Sequence, residues 1–406
     1  MIFKIAFKNV WRNKVRSLIV ITAITLGLVG GIFTVSIFTG MVEQKVRNGI
    51  NNEVSHLQIH DPRFLKNYES IYAIPHADSI AGIIASEPGV KAVCVRTRMN
   101  GMAASPNSAA GIQIVGVDAA KEKLVSSLYT SIPDSNGGFF TGTKKNQVVI
   151  GLKLAQKLKV RYRSKIVIRF QDPDGNLTEG AFSVIGIYQT SNTGFDETTV
   201  FVKKTDLDII AGRDNGIQEI AVMLSDNDLI PATQMAIKSK LKGLDVQNWM
   251  EIRPDMSIMT SAIAIEIYVI LGIILFALAF GIVNTMLMIV FERTHELGML
   301  MAVGMSKSRV FRMIMMETIF LTAIGGVIGI VISMGLIAFF QKHGIDLSAM
   351  SKGLKAFGID PKIYPFIKTQ FYINLCVMIL CTGILAAIMP ARKALKLNPV
   401  EAIRVE

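Results

Sequence analysis

Four long stretches of this 406-residue sequence contain no Asp, Glu, Lys or Arg. They cover residues 17–42, 267–291, 318–341 and 369–391, and the shortest has 23 residues. A helix of about 20 apolar residues crosses the hydrocarbon core of a bilayer, whereas buried helices of soluble proteins rarely stay uncharged for so long. The sequence therefore predicts four transmembrane helices. Its low share of charged residues, 18%, agrees with this class.

The first stretch follows five basic residues, an arrangement that also begins a secretory signal peptide. Its 26 uncharged residues exceed the about 7–15 of a cleavable hydrophobic region, and no small-residue cleavage site interrupts it. We expect a retained signal anchor.

The formal net charge of +12 is concentrated beside the apolar stretches. Residues 1–16, 292–312 and 392–406 together hold thirteen Lys and Arg against four Asp and Glu. Basic flanks stay on the cytoplasmic side of a membrane, so both termini and segment 292–312 are predicted to be cytoplasmic. The long segment 43–260 is nearly neutral, with 25 basic and 23 acidic residues. The charge thus indicates orientation, and we expect no nucleic-acid partner.

The predicted fold class is an α-helical membrane protein with four transmembrane helices and a large α+β extracytoplasmic domain between spans 1 and 2. Within that domain, short patches rich in β-branched residues predict strands, and longer amphipathic patches predict helices. This alternation fits a domain of one or of two subdomains. The predicted strands are 54–59, 90–98, 112–117, 166–170, 182–188, 198–202 and 219–224, and the predicted helices are 76–86, 151–158, 205–211 and 228–241. The predicted segments are an amphipathic N-terminal helix 1–16, transmembrane helices 17–42, 261–291, 313–341 and 369–391, the outer domain 43–260, a cytoplasmic segment 292–312, a short outer loop 342–368 and a cytoplasmic C-terminus 392–406.

The sequence contains no motif for ATP or metal chemistry. No GxxxxGK[ST] phosphate loop is present, and neither HExxH nor paired Cys/His spacing occurs. His56 and His60 lie on a strand-like alternation, so we interpret them as polar surface residues. Cys94 is the one cysteine of segment 43–260, which excludes a disulfide within that segment.

Segment 292–304 carries charges at Glu292, Arg293 and Glu296, followed by Leu297, Leu300 and Val303 at helical spacing. This pattern predicts a short amphipathic helix at the membrane surface, ended by a cap at Gly304. It fits a docking knob for a cytosolic partner and equally an ordinary turn between spans.

Other polar and small residues of the spans carry little weight. Glu266 and Glu317 are interpreted as residues at span boundaries, and the Gly-xxx-Gly pairs at 27/31 and 325/329 as weak signals of dimerisation.

Residues 292–329, 390–404 and 9–18 resemble the FtsX-like, MacB-type ABC transporter permeases. The resemblance implies a bacterial inner-membrane protein that pairs with a second permease subunit, as a homo- or heterodimer. Two cytosolic ATPase subunits would bind ATP and Mg, and this chain would bind no cofactor itself. The family's coupling helix corresponds to 292–312, with the ATPase contact at Glu292, Arg293, Glu296, Gly298, Gly304, Arg12 and Arg404.

Residues 54–60 resemble the lipoprotein-releasing, Lol-type members of this family. The resemblance implies a lipoprotein substrate taken from the membrane lipid and passed to a periplasmic carrier. Segment 170–177 corresponds to the carrier-recruiting hairpin, and its Asp-Gly pair also fits an ordinary turn. A macrolide- or peptide-exporter permease and an FtsX-type regulator of a cell-wall hydrolase remain alternatives. The candidate acyl-chain slot consists of Ile37, Phe38, Met41, Val42, Ile258, Met259, Ile263 and Ile267.

Overall fold

The computed structural model describes residues 2–12, 14–140, 142, 144–172, 174–212 and 216–395. The chain divides into two compact units. The membrane unit comprises Met1–Met41, Thr260–Asp346 and Lys362–Glu406, and the outer unit comprises Val42–Met259 and Leu347–Pro361.

The helices, in chain order, are α1 (Ile2–Arg12), α2 (Lys14–Gly49), α3 (Phe64–Asn67), α4 (Ala77–Ala85), α5 (Ala119–Val125), α6 (Leu152–Leu158), α7 (Thr193–Thr198), α8 (Lys204–Ala211), α9 (Ile230–Lys240), α10 (Trp249–Ile252), α11 (Pro254–Glu292), α12 (Thr294–Ala302), α13 (Lys307–His343), α14 (Ser351–Ala356) and α15 (Thr369–Leu395). A π-helical turn, Ile50–Val54, continues α2. The strands are β1 (Leu57–His60), β2 (Val90–Ala104), β3 (Ala109–Val117), β4 (Gln147–Gly151), β5 (Lys165–Gln171), β6 (Leu177–Tyr188), β7 (Thr199–Lys203), β8 (Glu219–Leu224), β9 (Asp245–Asn248), β10 (Ile345–Asp346) and β11 (Lys362–Ile363).

Four helical runs among the described residues are long and apolar enough to cross a membrane. They are Lys14–Val54, α11, α13 and α15, and each contains one of the uncharged stretches. At 1.5 Å per residue, the 39 residues of α11 and the 37 of α13 span about 55–60 Å, roughly twice the hydrocarbon thickness of a bilayer. These helices therefore extend beyond what crossing a membrane requires.

Small residues let α2 and α13 approach closely inside the membrane unit. A Cβ atom at Gly325 would lie 2.9 Å from Ile24, and one at Gly329 would lie 3.1 Å from Leu28. The hydroxyl of Thr25 donates a hydrogen bond to the carbonyl oxygen of Gly325 at 3.2 Å. The second Gly-xxx-Gly pair thus serves packing within this chain, where the sequence suggested a signal of dimerisation.

A closed barrel forms part of the outer unit. Strands β2, β3, β7, β4, β6 and β5 are hydrogen-bonded in this order, and β5 pairs again with β2. Every strand of the ring contributes to one buried hydrophobic cluster, which therefore fills the interior of the barrel. Helices α6 and α8 add Leu154, Leu158 and Leu207 to the same cluster.

The first half of β2 continues past the barrel into a second sheet. There it pairs with β8, and β1 and β9 follow in antiparallel order. Every residue of β1 and β8 is buried, so both faces of these strands are covered. The barrel and this sheet agree with the expectation of an α+β domain of two parts.

Segment 347–361 folds with the outer unit, although the sequence suggested only a short loop there. Its helix α14 packs against α7, and Ile359 is buried. Strand β10 precedes this segment and β11 follows it, and the two strands pair with each other, Ile345 with Ile363. The loop between the third and fourth spans is therefore a structured element.

Candidate functional site

The segment predicted as one coupling helix, 292–312, is divided by two breaks. Arg293, between α11 and α12, has φ −100° and ψ 18°, outside the helical range. Gly304 has φ +102°, a left-handed conformation that glycine adopts without strain, and it lies between α12 and α13. Helix α12 is therefore a nine-residue element with a non-helical junction at each end.

Charged residues from four parts of the chain meet around α12. Arg12, at the end of α1, pairs with Glu296, and Arg16, in the first turn of α2, pairs with Glu292. Three of the predicted contact residues, Glu292, Glu296 and Arg12, are thus engaged in ion pairs within the chain.

Arg293 links α12 to α13. Its Nε lies 3.0 Å from Oε2 of Glu296, and its Nη1 lies 3.0 Å from Oε1 of Glu317. The pKa of Glu296 lies below its ordinary value because Arg12, and after it Arg293, donate hydrogen bonds to this carboxylate. Partial burial of Glu296 acts in the opposite direction but is the smaller effect. Glu296 is thus kept ionised as the centre of this charge cluster.

Glu317 is the site residue that sequence reasoning missed. It was interpreted as a boundary residue, but α13 begins at Lys307, and the Glu317 side chain is only 7% exposed. A carboxylate so far inside an apolar helix requires a cationic partner, and Arg293 is that partner. Arg309 and Arg312 lie closer to Glu317 in sequence, so the sequence alone did not single out Arg293.

The apolar residues of α12 do not form one continuous buried stripe. Leu297 and Gly298 are buried, whereas Met299, Leu300 and Val303 are exposed, Val303 by 84%. The predicted amphipathic helix at the membrane surface stays a prediction. Met299 and Leu300 of α12, with Val303 just after it, form an exposed apolar surface.

Gly304, another predicted coupling residue, lies just after α12. Gly304 provides the predicted cap conformation, and Ser306 follows at the N-terminus of α13 without a capping hydrogen bond from its side chain. Arg404 lies outside the described residues.

The candidate slot residues are distributed over both units, and the slot stays a prediction. Val42 is buried, Phe38 and Ile258 are exposed, and the others are half-buried. The membrane unit contains Ile37, Phe38, Met41, Ile263 and Ile267, and the outer unit contains Val42, Ile258 and Met259.

Segment 170–177 forms a tight hairpin turn between β5 and β6, as the Asp-Gly pair predicts. The Asp172 carboxylate accepts hydrogen bonds from the backbone N–H groups of Asp174 and Asn176 at 3.0 and 2.8 Å, and Gly175 has φ +89°. Pro173 lies outside the described residues. Leu177 is 80% exposed at the start of β6, and recruitment of a carrier by this hairpin stays a prediction.

A second charge cluster lies in the outer unit and was not predicted. The Arg96 guanidinium contacts both Glu122 oxygens at 3.0 and 2.7 Å and one Glu219 oxygen at 2.8 Å, and Arg98 also pairs with Glu219. Burial would raise the pKa of Glu219, but Arg98 and Arg96 outweigh burial and hold this pKa at about 2. The cluster is therefore ionised and internally compensated.

His56 and His60 are both buried, so their interpretation as surface residues is wrong. His60 Nδ1 lies 2.8 Å from the carbonyl oxygen of Gln218, and its ring stacks on Phe64. Burial is the main cause that lowers the pKa of both histidines. The alternation of the sequence suggested one exposed face, whereas all four residues of β1 are buried.

A polar cavity of about 370 Å³ opens next to His60. Its acidic lining residues are already paired, Glu219 with Arg98 and Glu53 with Arg253. Among the described residues, no group of three or more His, Cys, Asp or Glu side chains could hold a metal ion.

Comparison with known proteins places two family models on this chain. Residues 17–240 match the MacB-like periplasmic core domain, and residues 268–399 match the FtsX-like permease C-terminal domain. Together the two models account for most of both units.

Three relatives illustrate the range of similarity. The macrolide export ATP-binding/permease protein MacB of Brucella melitensis is 26% identical, over 59% of this chain and 37% of that protein. MacB of Sodalis glossinidius is 24% identical, over 99% of this chain and 60% of that protein. The lipoprotein-releasing system transmembrane protein LolC of Neisseria meningitidis is 21% identical, over 96% of this chain and 94% of that protein. The chain thus spans at most 60% of these two MacB proteins and almost all of LolC.

Proposed function

Since this chain belongs to the FtsX-like, MacB-type family of ABC transporter permeases, we propose that it is the permease subunit of a complex that releases lipoproteins from the bacterial inner membrane. The observation that carries this choice is the similarity to LolC, which extends over nearly the full length of both proteins. ATP, with Mg, is hydrolysed by two separate cytosolic ATPase subunits, and a second permease subunit completes the complex.

The proposed orientation follows from the distribution of charge. The basic residues beside the spans keep both termini and α12 in the cytoplasm, and the outer unit lies in the periplasm. An ATPase can then reach α12, while the nearly neutral outer unit meets the substrate and a periplasmic carrier.

In this proposal, α12 is the contact with the ATPase. Because Glu292, Glu296 and Arg293 pair within the chain, the exposed side chains of Met299, Leu300 and Val303 provide the contact surface. Flexible methionine and small aliphatic side chains suit insertion into an apolar groove of a partner. The paired charges, in turn, set the orientation in which that surface is presented.

On the outer side, we place the acyl chains of the lipoprotein along the apolar residues that precede and follow the outer unit in the chain. Ile37, Phe38 and Met41 precede it, and Ile263 and Ile267 follow it. Apolar side chains recognise acyl chains by burial rather than by specific polar contacts, which suits a substrate class with varied protein parts.

Depletion of the protein in its host tests this proposal. Acylated lipoproteins destined for the outer membrane should accumulate in the inner membrane, as measured by fractionation and immunoblotting. Restoration by the wild-type gene is the control, and unchanged sorting in depleted cells would refute lipoprotein release.

Export of a small molecule is the second candidate. It is favoured by the similarity to MacB of Sodalis glossinidius, which extends over 99% of this chain. Depletion would then raise sensitivity to macrolides and leave lipoprotein sorting intact.

A further inference from the structure

The ion pairs around α12 form one connected chain of side chains. Arg12 of α1 contacts Glu296 of α12, Glu296 contacts Arg293, and Arg293 contacts Glu317 of α13. Each acidic and basic residue in this series alternates with one of opposite sign, so every neighbouring contact is attractive.

Burial increases steadily along this chain. The exposed fraction of the side chain falls from 55% at Arg12 and 43% at Glu296 to 15% at Arg293 and 7% at Glu317. Exposed ion pairs are weak and screened by salt, whereas breaking a buried pair leaves a charge without solvent. The Arg293–Glu317 pair is therefore the stronger end of this series of ion pairs, and the Arg12–Glu296 pair is the weaker end.

Both ends of this series of ion pairs, Arg12 and Glu317, lie on the same body. Helix α1 packs on α13, where the Phe3 ring contacts the Phe320 ring edge-on with centroids 4.8 Å apart, and Phe7 contacts the same ring at 5.8 Å. The ion pairs thus connect α12 at two points to a body made of α1 and α13.

Apolar contacts also hold α12. Leu297 and Gly298 are buried, and Met301 packs against the core of the membrane unit. Non-helical junctions at Arg293 and Gly304 bound the helix. A short helix with a break at each end can pivot as a unit, and the ion pairs then restrict the direction of that movement.

We propose that Glu317 is a positioning residue that, through Arg293, fixes α12 against α13, so that displacement of α12 by a partner is passed to the third span. This inference rests on the proposed function, because it assumes that an ATPase displaces α12. The role assigned to Glu317 is mechanical: the carboxylate holds Arg293, and Arg293 holds α12.

The first measurement uses the purified permease alone. Spin labels at Met299→Cys on α12 and Lys307→Cys at the start of α13, in a Cys376→Ser/Cys381→Ser background, report the distance distribution between the two helices. Glu317→Gln should broaden this distribution, and Arg312→Gln, an exposed charge on the same helix, should leave it unchanged. An unchanged distribution in Glu317→Gln would overturn the inference.

The second measurement uses the reconstituted complex with the ATPase. Glu317→Gln should reduce the permease-dependent stimulation of ATP hydrolysis by about fivefold or more, while the ATPase still co-purifies. If Glu317 acts through Arg293, the double variant Arg293→Gln/Glu317→Gln should be no worse than the worse single variant, whereas an independent role would make the losses add.

The two measurements separate the possible failures. If the label distribution broadens but the wild-type permease does not stimulate the ATPase, the proposed function fails and positioning by Glu317 stands. If the wild-type permease stimulates and Glu317→Gln stimulates equally, the proposed function stands and the transmission through Glu317 is refuted.

Discussion

The buried charge cluster of the outer unit makes a quantitative prediction about Arg96. This side chain is almost fully buried, and it pairs with Glu122, whose side chain is only 1% exposed. Arg96→Ala would leave the Glu122 carboxylate buried without its cation, while Glu219 would keep Arg98. Loss of one partner of a buried ion pair costs about 3–5 kcal/mol, a large part of the about 5–15 kcal/mol of a typical domain.

The chain offers a convenient probe for this measurement. Its two tryptophans are Trp11 in the membrane unit and Trp249 in the outer unit. In a Trp11→Phe background, fluorescence of the buried Trp249 during denaturation in detergent reports unfolding of the outer unit. Arg96→Ala should lower the free energy of unfolding by about 3–5 kcal/mol.

An exposed arginine in the same unit provides the matched control. Arg169 pairs with Glu179 at 2.6 Å, but both side chains are more than half exposed. Arg169→Ala should cost less than about 1 kcal/mol. In the double variant Arg96→Met/Glu122→Gln, the loss should shrink because no unpaired charge remains buried. If Arg96→Ala cost no more than Arg169→Ala, the assigned role of the cluster would be wrong.

Two further predictions concern α7. Burial raises the pKa of Asp196 to about 7, against the hydrogen bonds from Thr190, so the folded outer unit takes up a proton more readily than the unfolded chain. The contribution of Asp196 to stability should therefore rise by about 3 kcal/mol as the pH is lowered from 8 to 5, measured as the difference between the wild type and Asp196→Asn; equal pH slopes for the two proteins would contradict it. A Cβ atom at Gly151 would lie 2.1 Å from the carbonyl oxygen of Asp196, so Gly151→Ala should lower the free energy of unfolding by about 1–3 kcal/mol. Gly111→Ala, with open space around it, should be neutral, and a similar loss at both glycines would argue against the clash.

The predictable part of the fold is the part set by local pattern. An uncharged run of 23 residues or more has few alternatives to a membrane helix, and the short β-branched patches correspond to β1, β2, β3, β5, β6, β7 and β8. Of the missed strands, β9 is polar and lacks that signal, whereas β4 contains Val148, Val149 and Ile150 and could have been recognised. Closure of the barrel depends on the parallel pairings of β3 with β7 and β4 with β6, which join strands distant in sequence and leave no local pattern.

The same limit applies to the candidate site. Charge and helical spacing indicated the region of α12, but they could not show that Glu296 meets Arg12, because 284 positions in sequence, including the first two spans and all of segment 43–260, separate the two residues. The separation also explains why these charged residues were assigned to a contact with the ATPase and not to ion pairs within the chain. Glu317 was discounted because its depth within α13 depends on where that helix begins, and the sequence suggested a later start.

Closure of the barrel restricts how the outer unit can hold a polypeptide. An extended chain commonly binds by adding a strand to an open sheet edge, but the ring leaves only short stretches paired on one side, such as 109–112 of β3 and 177–182 of β6. Within the described part of the main sheet, the edge at β9 is four residues long, and the side-chain amide of Gln234 donates to the carbonyl oxygen of Val246 at 2.9 Å. This unit must therefore recognise a partner mainly by side chains and surface shape, with little contribution from backbone pairing. Such recognition does not require the partner to contain a strand-forming sequence.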